Sequence, residues 1–441
     1  MDRDDERRQA WDAVRSALAE HCERHDVPGA AVGVLADGVT RTSAYGVRSV
    51  EDPVPVTPPT LFRVASITKT FTTAALLRQV DAGRLDVDAP VRTYLPGLRT
   101  ADPDTAAEVT LRHLLTHRSG WAPEAPDPGG PGDQDDAALA RYVDGLRSLR
   151  RIFPPGRFYS YNNAAFAVLG RVIEVVTGRP YETVVREEVL EPLGMRASGF
   201  GAHHAVTRPL ALGHRSGPAR VWRPWGRARG RAAVGGLFST VDDLMRYAAA
   251  LLDGGGGVLR PETVRAMWTP VADAEGNTDH IGLTWNIDDL PGGLRVVGHR
   301  GYTTGNRSLL AIVPERAFAL AVLTNGDAGI RVTRAVERVA MNAFVGACRP
   351  ERDDGASAET DPAPYQGRYT DGTRVVEARV TDGVLVLRDD LGGIEARVRF
   401  ATADAGYADD PDHTFVRFLC DDDGVLRWVR VGDSVLAAER A

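Results

Sequence analysis

Apolar residues recur along this chain with two different spacings, which predict where helices and strands lie. A spacing of three to four residues is typical of a helix with one buried face, and it covers these segments: 5–25, 66–83, 163–178, 239–254 and 332–345. Short runs rich in β-branched residues predict strands over these segments: 30–34, 39–45, 295–298, 308–313 and 317–324. Helices mixed with antiparallel strands predict an α+β fold for this part of the chain.

The last part of the chain has a different pattern. Residues 349–364 are rich in Pro, Asp and Glu and predict a linker. After it, glycine-containing turns separate short apolar runs: 374–380, 384–388, 394–400, 414–419 and 425–431. Such runs predict a small antiparallel β-barrel or sandwich. The expected organisation is one domain over residues 1–348, the linker, and a β domain over 365–441.

Composition and charge exclude several function classes. The net charge of −7 argues against a partner nucleic acid and predicts solubility. The three cysteines, with no CxxC pair, argue against a disulfide framework and a structural zinc site. The charged N-terminus leads into no signal-peptide core, and no apolar run approaches the roughly 18 residues of a membrane span. We therefore expect a cytoplasmic protein without a membrane partner.

One lysine stands out in this composition. Of 53 basic residues, 52 are arginine and only Lys69 is lysine. Arginine cannot be deprotonated in a protein, whereas a buried lysine can act as a base. Lys69 follows Ser66, the expected cap of a helix, by three residues, so their Cβ atoms should lie about 5–6 Å apart on one face. Free N–H groups at the helix start would stabilise an oxyanion. The pattern predicts Ser66 as a nucleophile and Lys69 as its base.

A second motif, Tyr161-Asn162-Asn163, opens another predicted helix. A phenol beside a lysine can be held close to ionisation and relay the proton of the nucleophile, which is the expected role of Tyr161. The amide of Asn163 can hydrogen-bond both the lysine and a substrate amide.

A third motif, His299-Arg300-Gly301-Tyr302, ends a predicted strand. A glycine at the rim of an edge strand allows a substrate backbone to approach closely, and the N–H of Tyr302 would be a second oxyanion donor. His299 should be mostly neutral at pH 7. The side chain of Arg300 should point to the opposite face of the strand.

Taken in order, these three motifs resemble those of the class C β-lactamase, DD-peptidase and esterase family of penicillin-binding-protein-like serine hydrolases. The resemblance covers residues 24–345 and includes the flanking phrases at 111–120 and 235–240. It implies a helical subdomain and an antiparallel sheet flanked by helices around one cleft, with no metal or cofactor. It also implies these roles: Ser66 as nucleophile, Lys69 and Tyr161 as base system, and Asn163, His299, Arg300, Gly301 and Tyr302 as substrate-binding residues. The C-terminal β domain resembles the lipocalin-like modules appended to some family members.

One departure from the family bears on the substrate. Class C β-lactamases usually carry Lys-Thr-Gly as the third motif, which holds the carboxylate of the drug, where this chain has His299-Arg300-Gly301. The difference disfavours a dedicated β-lactamase and favours an esterase, peptidase or transacylase acting on a small molecule or peptide. The acyl acceptor stays open. It is water, or it is a peptide amine, as in stand-alone penicillin-binding-protein-type thioesterases and cyclases that take peptides from a carrier protein.

Three further hypotheses remain from the residues. A non-catalytic binding module of the same fold would be expected to lose Ser66 or Lys69. His113 and His117 have the spacing for a shared metal on a helix, but the sequence offers no obvious third ligand. The Arg- and Trp-rich segment 220–231 is either a solvated loop or a lid over the cleft. Such a lid would receive an anionic or aromatic substrate, or the phosphopantetheine of a carrier protein.

We expect Lys69→Arg to be nearly as damaging as Lys69→Ala, because arginine keeps the charge but does not release a proton. Both variants should approach the inactivity of Ser66→Ala in hydrolysis of p-nitrophenyl esters. Retention of more than a tenth of the parental rate by Lys69→Arg, a loss below roughly 1.4 kcal/mol, would limit Lys69 to an electrostatic role.

Overall fold

The structure is a computed structural model that describes these residues: 3–124, 133–223, 225–226, 228–276, 278–349, 358–390, 394–410 and 414–439. Residues 350–357 of the predicted linker, and two positions of the segment 220–231, lie outside them. Within the described ranges, no helix is both long enough and apolar enough to cross a membrane.

Helices and strands alternate irregularly over the first 345 residues. The helices are α1 Arg3–Arg24, α2 Thr68–Asp81, α3 Thr105–Glu108, α4 Leu111–Leu115, α5 Ala138–Asp144, α6 Asn163–Thr177, α7 Tyr181–Val185, α8 Ala202–Val206, α9 Ala232–Gly235, α10 Val241–Leu252, α11 Pro261–Met267 and α12 Gly329–Ala340. The strands are β1 Gly29–Ala36, β2 Val39–Gly46, β3 Phe62–Arg63, β4 Gly199–Phe200, β5 His214–Arg215, β6 Arg220–Val221, β7 Leu237–Ser239, β8 Ala272–Asp273, β9 His280–Ile281, β10 Asn286–Leu290, β11 Leu294–Thr303, β12 Asn306–Val313 and β13 Phe318–Thr324.

A large antiparallel sheet organises this part, with the strand order β2-β1-β13-β12-β11-β10-β9-β8. Successive side chains of a strand point to opposite faces. On β1, Val32 and Val34 pack with α1 and α12, whereas Ala31 and Leu35 belong to the core that contains α2, α6 and α10. Because both faces are covered, β1 and β13 are buried along their whole length. The predicted α+β fold, with a sheet flanked by helices, is confirmed.

Strand β11 is longer than the predicted 295–298 segment and contains the whole third motif. Its partner β10 pairs with it only as far as Gly298. Residues 299–303 pair with β12 on one side, and no other described strand pairs with their second edge. This open edge lies at the cleft discussed below.

The C-terminal residues form a closed barrel of eight antiparallel strands. The strands are β14 Gly367–Thr370, β15 Val375–Thr381, β16 Val384–Asp389, β17 Ile394–Phe400, β18 Ala405–Ala408, β19 Phe415–Cys420, β20 Leu426–Val431 and β21 Ser434–Ala438. Five match predicted runs, and the other three, β14, β18 and β21, were missed. Inward-facing apolar residues such as Val376, Leu387 and Val429 form a core of its own.

The barrel packs against the first part through an aromatic contact. Trp428 of β20 lies edge-on to Phe158, and its Nε1 donates a hydrogen bond of 2.8 Å to the backbone carbonyl of Ile152. Arg157 forms an ion pair with Asp422 at the rim of the same contact. The contact fixes the barrel beside the segment that leads into α6.

We expect Trp428→Ala to lower the free energy of unfolding by about 3–5 kcal/mol, because a large buried ring and its hydrogen bond are lost. Trp428→Phe should be less destabilising, since the ring contact with Phe158 remains. Its lost hydrogen bond should lower the free energy of unfolding by about 1 kcal/mol, in addition to the effect of the smaller ring. Urea unfolding followed by circular dichroism measures both. An alanine variant as stable as the phenylalanine variant would show that the aromatic contact contributes little to docking.

Candidate active site

Ser66 lies in a 3-10 turn, Ala65–Ile67, that runs directly into α2. The prediction that Ser66 caps the helix is wrong, since Ile67 holds the cap position of α2 and no side chain makes a cap hydrogen bond there. Ala65 has φ 47°, a conformation that costs a non-glycine residue on the order of 1–3 kcal/mol. The nucleophile candidate therefore follows a strained residue that the surrounding packing must hold.

Gly301 of β11 provides that packing. A Cβ atom at this position would lie 2.1 Å from Oγ of Ser308 and 2.2 Å from the carbonyl oxygen of Val64. The same Val64 carbonyl accepts a 2.8 Å hydrogen bond from Ser308 Oγ. Packing against the turn that carries Ser66 therefore requires a glycine at position 301, whether or not a substrate backbone also approaches this edge as predicted.

Lys69 is completely buried and brings three elements together. Its Nζ lies 3.1 Å from Oγ of Ser66, 2.8 Å from Oδ1 of Asn163 and 2.9 Å from the carbonyl oxygen of Val234. The Ser66–Lys69 and Lys69–Asn163 contacts expected from the first two motifs are present in the structure.

The same three contacts suit both protonation states of the amine. An ammonium has three N–H donors for three oxygen atoms. A neutral amine has two N–H donors for the two carbonyl-type acceptors, Asn163 Oδ1 and Val234 O. Its lone pair can then accept the hydroxyl proton of Ser66. The site can therefore take up and return one proton without rearranging its hydrogen bonds.

Tyr161 lies over this amine, with its ring centroid 4.9 Å from Nζ of Lys69. Burial raises the pKa of the phenol, and the carboxylates of Asp433 and Glu124 raise it further, although nearby Ser66 lowers it. The phenol oxygen is buried, and Ser66 lies outside good hydrogen-bond geometry with it. The expectation of a phenol close to ionisation is therefore wrong in this state, and Tyr161 is a neutral O–H group.

Backbone amides on both sides fix the position of Tyr161. The N–H groups of Ser160 and Asn162 donate to the carbonyl and to Nδ1 of His117, at 2.8 and 2.9 Å. Between them, the N–H of Tyr161 donates to the carbonyl oxygen of Asp433 in the barrel, at 2.8 Å. The ring of His117 also stacks on Tyr161 with centroids 4.4 Å apart. Tyr161 is thus held by His117 on one side and by the barrel on the other.

His117 is a positioning residue that sequence reasoning considered only as a metal ligand. It is buried, and burial together with the charge of Lys69 holds the pKa of its ring well below the usual range. Its Nδ1 is used by Asn162, and Nδ1 of His113 accepts from the backbone N–H of Thr110. No group of three or more His, Cys, Asp or Glu side chains suited to a metal occurs in the part of the chain that the structure describes.

His299 reaches the cleft from β11 and is buried. Its Nδ1 lies 2.7 Å from the carbonyl oxygen of Arg300, so Nδ1 carries the proton. Burial, and then the charge of Lys69, lowers the pKa of the ring to about 3. The ring is therefore neutral, as expected, and Nε2 is an acceptor. This Nε2 is buried with no hydrogen-bond partner among the described residues.

The backbone of Tyr302 faces the open edge of β11. Thr303 pairs with Asn306 across a two-residue turn, which makes this pair hydrogen-bonded in both directions. Hydrogen-bonded and non-bonded pairs alternate, so the next pair, Tyr302 with Arg307, is non-bonded. The N–H and C=O of Tyr302 therefore point away from β12 and toward the open edge. The N–H that was predicted as an oxyanion donor thus faces the cleft.

The side chain of Arg300 lies on the other face of β11, as predicted from strand alternation, and hydrogen-bonds Glu337 of α12. Arg300 and Ser66 line the same cavity, but the guanidinium of Arg300 is paired with Glu337. On the cleft side, Glu124 hydrogen-bonds the amide of Asn163 and pairs with Arg231 from the Arg- and Trp-rich segment. Sequence reasoning missed Glu124 and Asp433, because neither lies in a motif.

The sequence and the fold of this chain are similar to those of several known proteins. A family model described as Beta-lactamase matches residues 14–343. The chain is 30% identical to Penicillin-binding protein 4 of Amycolatopsis lactamdurans over 82% of this chain and 96% of that protein. It is 29% identical to the D-aminopeptidase of Gluconobacter oxydans over 88% of this chain and 74% of that protein. The crystal structure of SurE with D-Leu matches 98% of this chain and 100% of that chain, with a TM-score of 0.81 and 26% identity.

Ser160→Ala tests whether the barrel contact positions Tyr161. Oγ of Ser160 accepts a 3.0 Å hydrogen bond from the backbone N–H of Val435, and both groups are buried. Losing the acceptor leaves that N–H unpaired, at a cost of about 1–3 kcal/mol, and loosens the segment carrying the phenol. We expect kcat to fall about tenfold with KM little changed.

Ser434→Ala is the matched control, since Ser434 lies in the same barrel turn beside Asp433 and is only half-buried. Steady-state kinetics on one ester substrate compares the two variants. Equal kcat values for Ser160→Ala and Ser434→Ala would contradict a positioning role of this contact.

Proposed function

This chain belongs to the beta-lactamase family and is a serine hydrolase that acts on ester or amide bonds, and we propose that it processes acyl groups containing a D-amino acid residue through an acyl-Ser66 intermediate. Support for the substrate class comes first from relatives. One relative is named D-aminopeptidase, and SurE was crystallised with D-Leu. These names describe those proteins, and the transfer to this chain is part of the proposal.

The observation that carries the proposal is the state of His299. A neutral ring with its proton on Nδ1 offers a lone pair, not a positive charge, to the cleft. A substrate carboxylate would face this lone pair unfavourably, whereas an amide N–H or an amine would satisfy it. The cleft therefore suits peptides, amides and amine-bearing substrates better than carboxylated β-lactams.

In the proposed acylation, the Ser66 hydroxyl gives its proton to the neutral amine of Lys69 while Oγ attacks the substrate carbonyl. The N–H groups of Ser66 and Tyr302 would stabilise the oxyanion, each contributing about 2.7–4 kcal/mol. Because the phenol of Tyr161 is neutral, it can donate a proton to the departing nitrogen or oxygen and regain one from Lys69. Water or an amine then attacks the acyl-enzyme, and the same proton transfers in the reverse direction release Ser66.

Aminolysis is a second candidate function, and a specific feature favours it. Asp433 lines the same cavity as Ser66 and His299. A carboxylate and a histidine acceptor at one cleft can hold an amine that attacks the acyl-enzyme in place of water. This is the reaction of a transacylase or of a peptide cyclase that receives its substrate from a carrier protein.

The D-amino acid proposal is tested with p-nitroanilides of D- and L-phenylalanine. We expect kcat/KM to favour the D-substrate by at least about tenfold, and intact-mass spectra to show an acyl adduct that Ser66→Ala lacks. Equal rates for the two enantiomers would overturn the substrate class. Turnover by Ser66→Ala at the parental rate would overturn the acyl-enzyme itself.

His299→Lys tests the role of the third motif. The new cation should raise kcat/KM for a carboxylated cephalosporin relative to a neutral ester by about 1–2 kcal/mol, or roughly five- to thirtyfold. Arg300→Thr is the control, because Arg300 lies on the other face of β11 and pairs with Glu337. If Arg300→Thr weakens use of the cephalosporin while His299→Lys changes nothing, His299 does not set the substrate class.

A further inference from the structure

The side-chain amide of Asn163 joins the lysine of the site to a carboxylate that no motif contains. Its Oδ1 accepts a 2.8 Å hydrogen bond from Nζ of Lys69. Its other end, Nδ2, donates a hydrogen bond to Oε1 of Glu124. A side-chain amide can also take the flipped orientation, in which its oxygen and nitrogen exchange places. The partners at the two ends therefore decide which end faces the lysine.

Glu124 follows a segment that is docked on the start of α6. The side chain of Asn162 and the backbone N–H of Asn163 donate hydrogen bonds of 2.9 and 3.0 Å to the carbonyl oxygens of residues 121–123. Glu124 is the next residue along the chain. Its backbone is thus fixed beside the amide that its side chain contacts.

An arginine fixes the carboxylate of Glu124 from another side. Nη2 of Arg231 lies 3.1 and 3.0 Å from the two carboxylate oxygens. Arg231 belongs to a segment packed on α5, where a Cβ atom at the neighbouring Gly230 would lie 2.8 Å from the carbonyl oxygen of Ala138. As the ion-pair partner of an arginine, the carboxylate is ionised and offers Asn163 only acceptors.

The orientation of Asn163 decides where the lone pair of a neutral Lys69 points. With Oδ1 toward the lysine, the two amine N–H groups are used by Oδ1 and by the carbonyl oxygen of Val234. The lone pair is then left for the hydroxyl proton of Ser66. In the flipped orientation, Nδ2 would donate to the lone pair, and the amine would donate to Ser66 instead. A lone pair used in this way cannot take up the proton of the nucleophile.

We infer that Glu124 is a positioning residue, whose carboxylate excludes the flipped orientation of Asn163 and so keeps Lys69 ready to act as a base. The flipped orientation would place the amide oxygen against the carboxylate, acceptor against acceptor. It would also lose a charge-assisted hydrogen bond, which is about twice as strong as a neutral one. The inference rests on the proposed acyl-Ser66 function and adds to it a residue that acts through Asn163.

The test is Glu124→Gln, which keeps the size of the side chain but adds a donor, so that both orientations of Asn163 find a partner. The substrate is p-nitrophenyl acetate, because it has no amide for Asn163 to bind. We expect kcat and kcat/KM to fall together by about five- to tenfold, since the Lys69 lone pair is blocked in most molecules. A parental kcat in Glu124→Gln, with Ser66→Ala inactive, would overturn the inference and leave the proposed function standing.

Removal of the amide distinguishes positioning from a direct effect of the charge. In an Asn163→Ala background there is no amide to orient, so the addition of Glu124→Gln should change kcat by less than about twofold. An equal fall in both backgrounds would overturn the inference, because Glu124 would then act without Asn163.

The matched control is Glu182→Gln. Glu182 forms an ion pair of 2.7 Å with Arg229, two residues before Arg231 in the same segment. Loss of this ion pair should leave kcat within about twofold of the parental value. A fall as large as that of Glu124→Gln would show that loosening the segment lowers the rate, and it would overturn the inference.

A substrate with a free amine separates positioning from binding, because a carboxylate can also hold an ammonium group. Suppose that Glu124→Gln lowers kcat/KM for the D-phenylalanine anilide but not for its N-acetyl form or for p-nitrophenyl acetate. Glu124 would then bind the substrate, and the positioning role would be overturned. Parental hydrolysis of p-nitrophenyl acetate by Ser66→Ala would overturn the proposed function itself.

Discussion

The buried amine of Lys69 is the contact on which the arrangement of the cleft depends. It joins the turn before α2, the first residue of α6 and the carbonyl of Val234 in α9. A buried amine is stable only if its hydrogen-bonding capacity is met, and these three oxygen atoms meet it in either protonation state. An arginine at position 69 would also carry a positive charge, but it could not change its protonation state.

The groups around this amine are held neutral by burial. Burial lowers the pKa values of His117 and His299 and raises that of Tyr161. When Lys69 is protonated, these three rings therefore add no second charge beside it. Negative charge that develops on a substrate carbonyl would then meet one buried cation and the backbone amides at the open edge of β11. In the proposed function, such a site would stabilise an oxyanion without binding a carboxylate strongly in its ground state.

The barrel belongs to the same arrangement. Its turn at Asp433 accepts the hydrogen bond of the Tyr161 amide, and Trp428 attaches it to the segment just before that tyrosine. On the opposite wall of the cleft, Gly301 packs against the turn that contains the strained residue Ala65 and precedes Ser66. In both places a reactive side chain is positioned by backbone contacts from a distant part of the chain. Such contacts have no signature in the residues around the motif.

Particular elements show how far sequence reasoning reached. The long helices and strands β1, β2, β11, β12 and β13 of the sheet were predictable because their apolar spacing extends over many residues. The short strands β8, β9 and β10 of the same sheet were missed. Strands β14, β18 and β21 were missed because they span only four or five residues and gain their partners from closure of the barrel. The prediction that Tyr161 is held close to ionisation was wrong because burial, which no local pattern reveals, raises the pKa of the phenol. Glu124 and Asp433 lie outside every motif and reach the cleft only through long-range packing.

The sequence by itself determined the fold class and the identity of the chemical groups, since a lone lysine three residues after a serine is local information. The tertiary structure alone decided the state of those groups: which nitrogen of His299 accepts, why Gly301 must lack a side chain, and what holds Tyr161. The physical reason is that protonation and orientation depend on desolvation and on partners far away in the chain. Residue type, in contrast, is fixed before the chain folds.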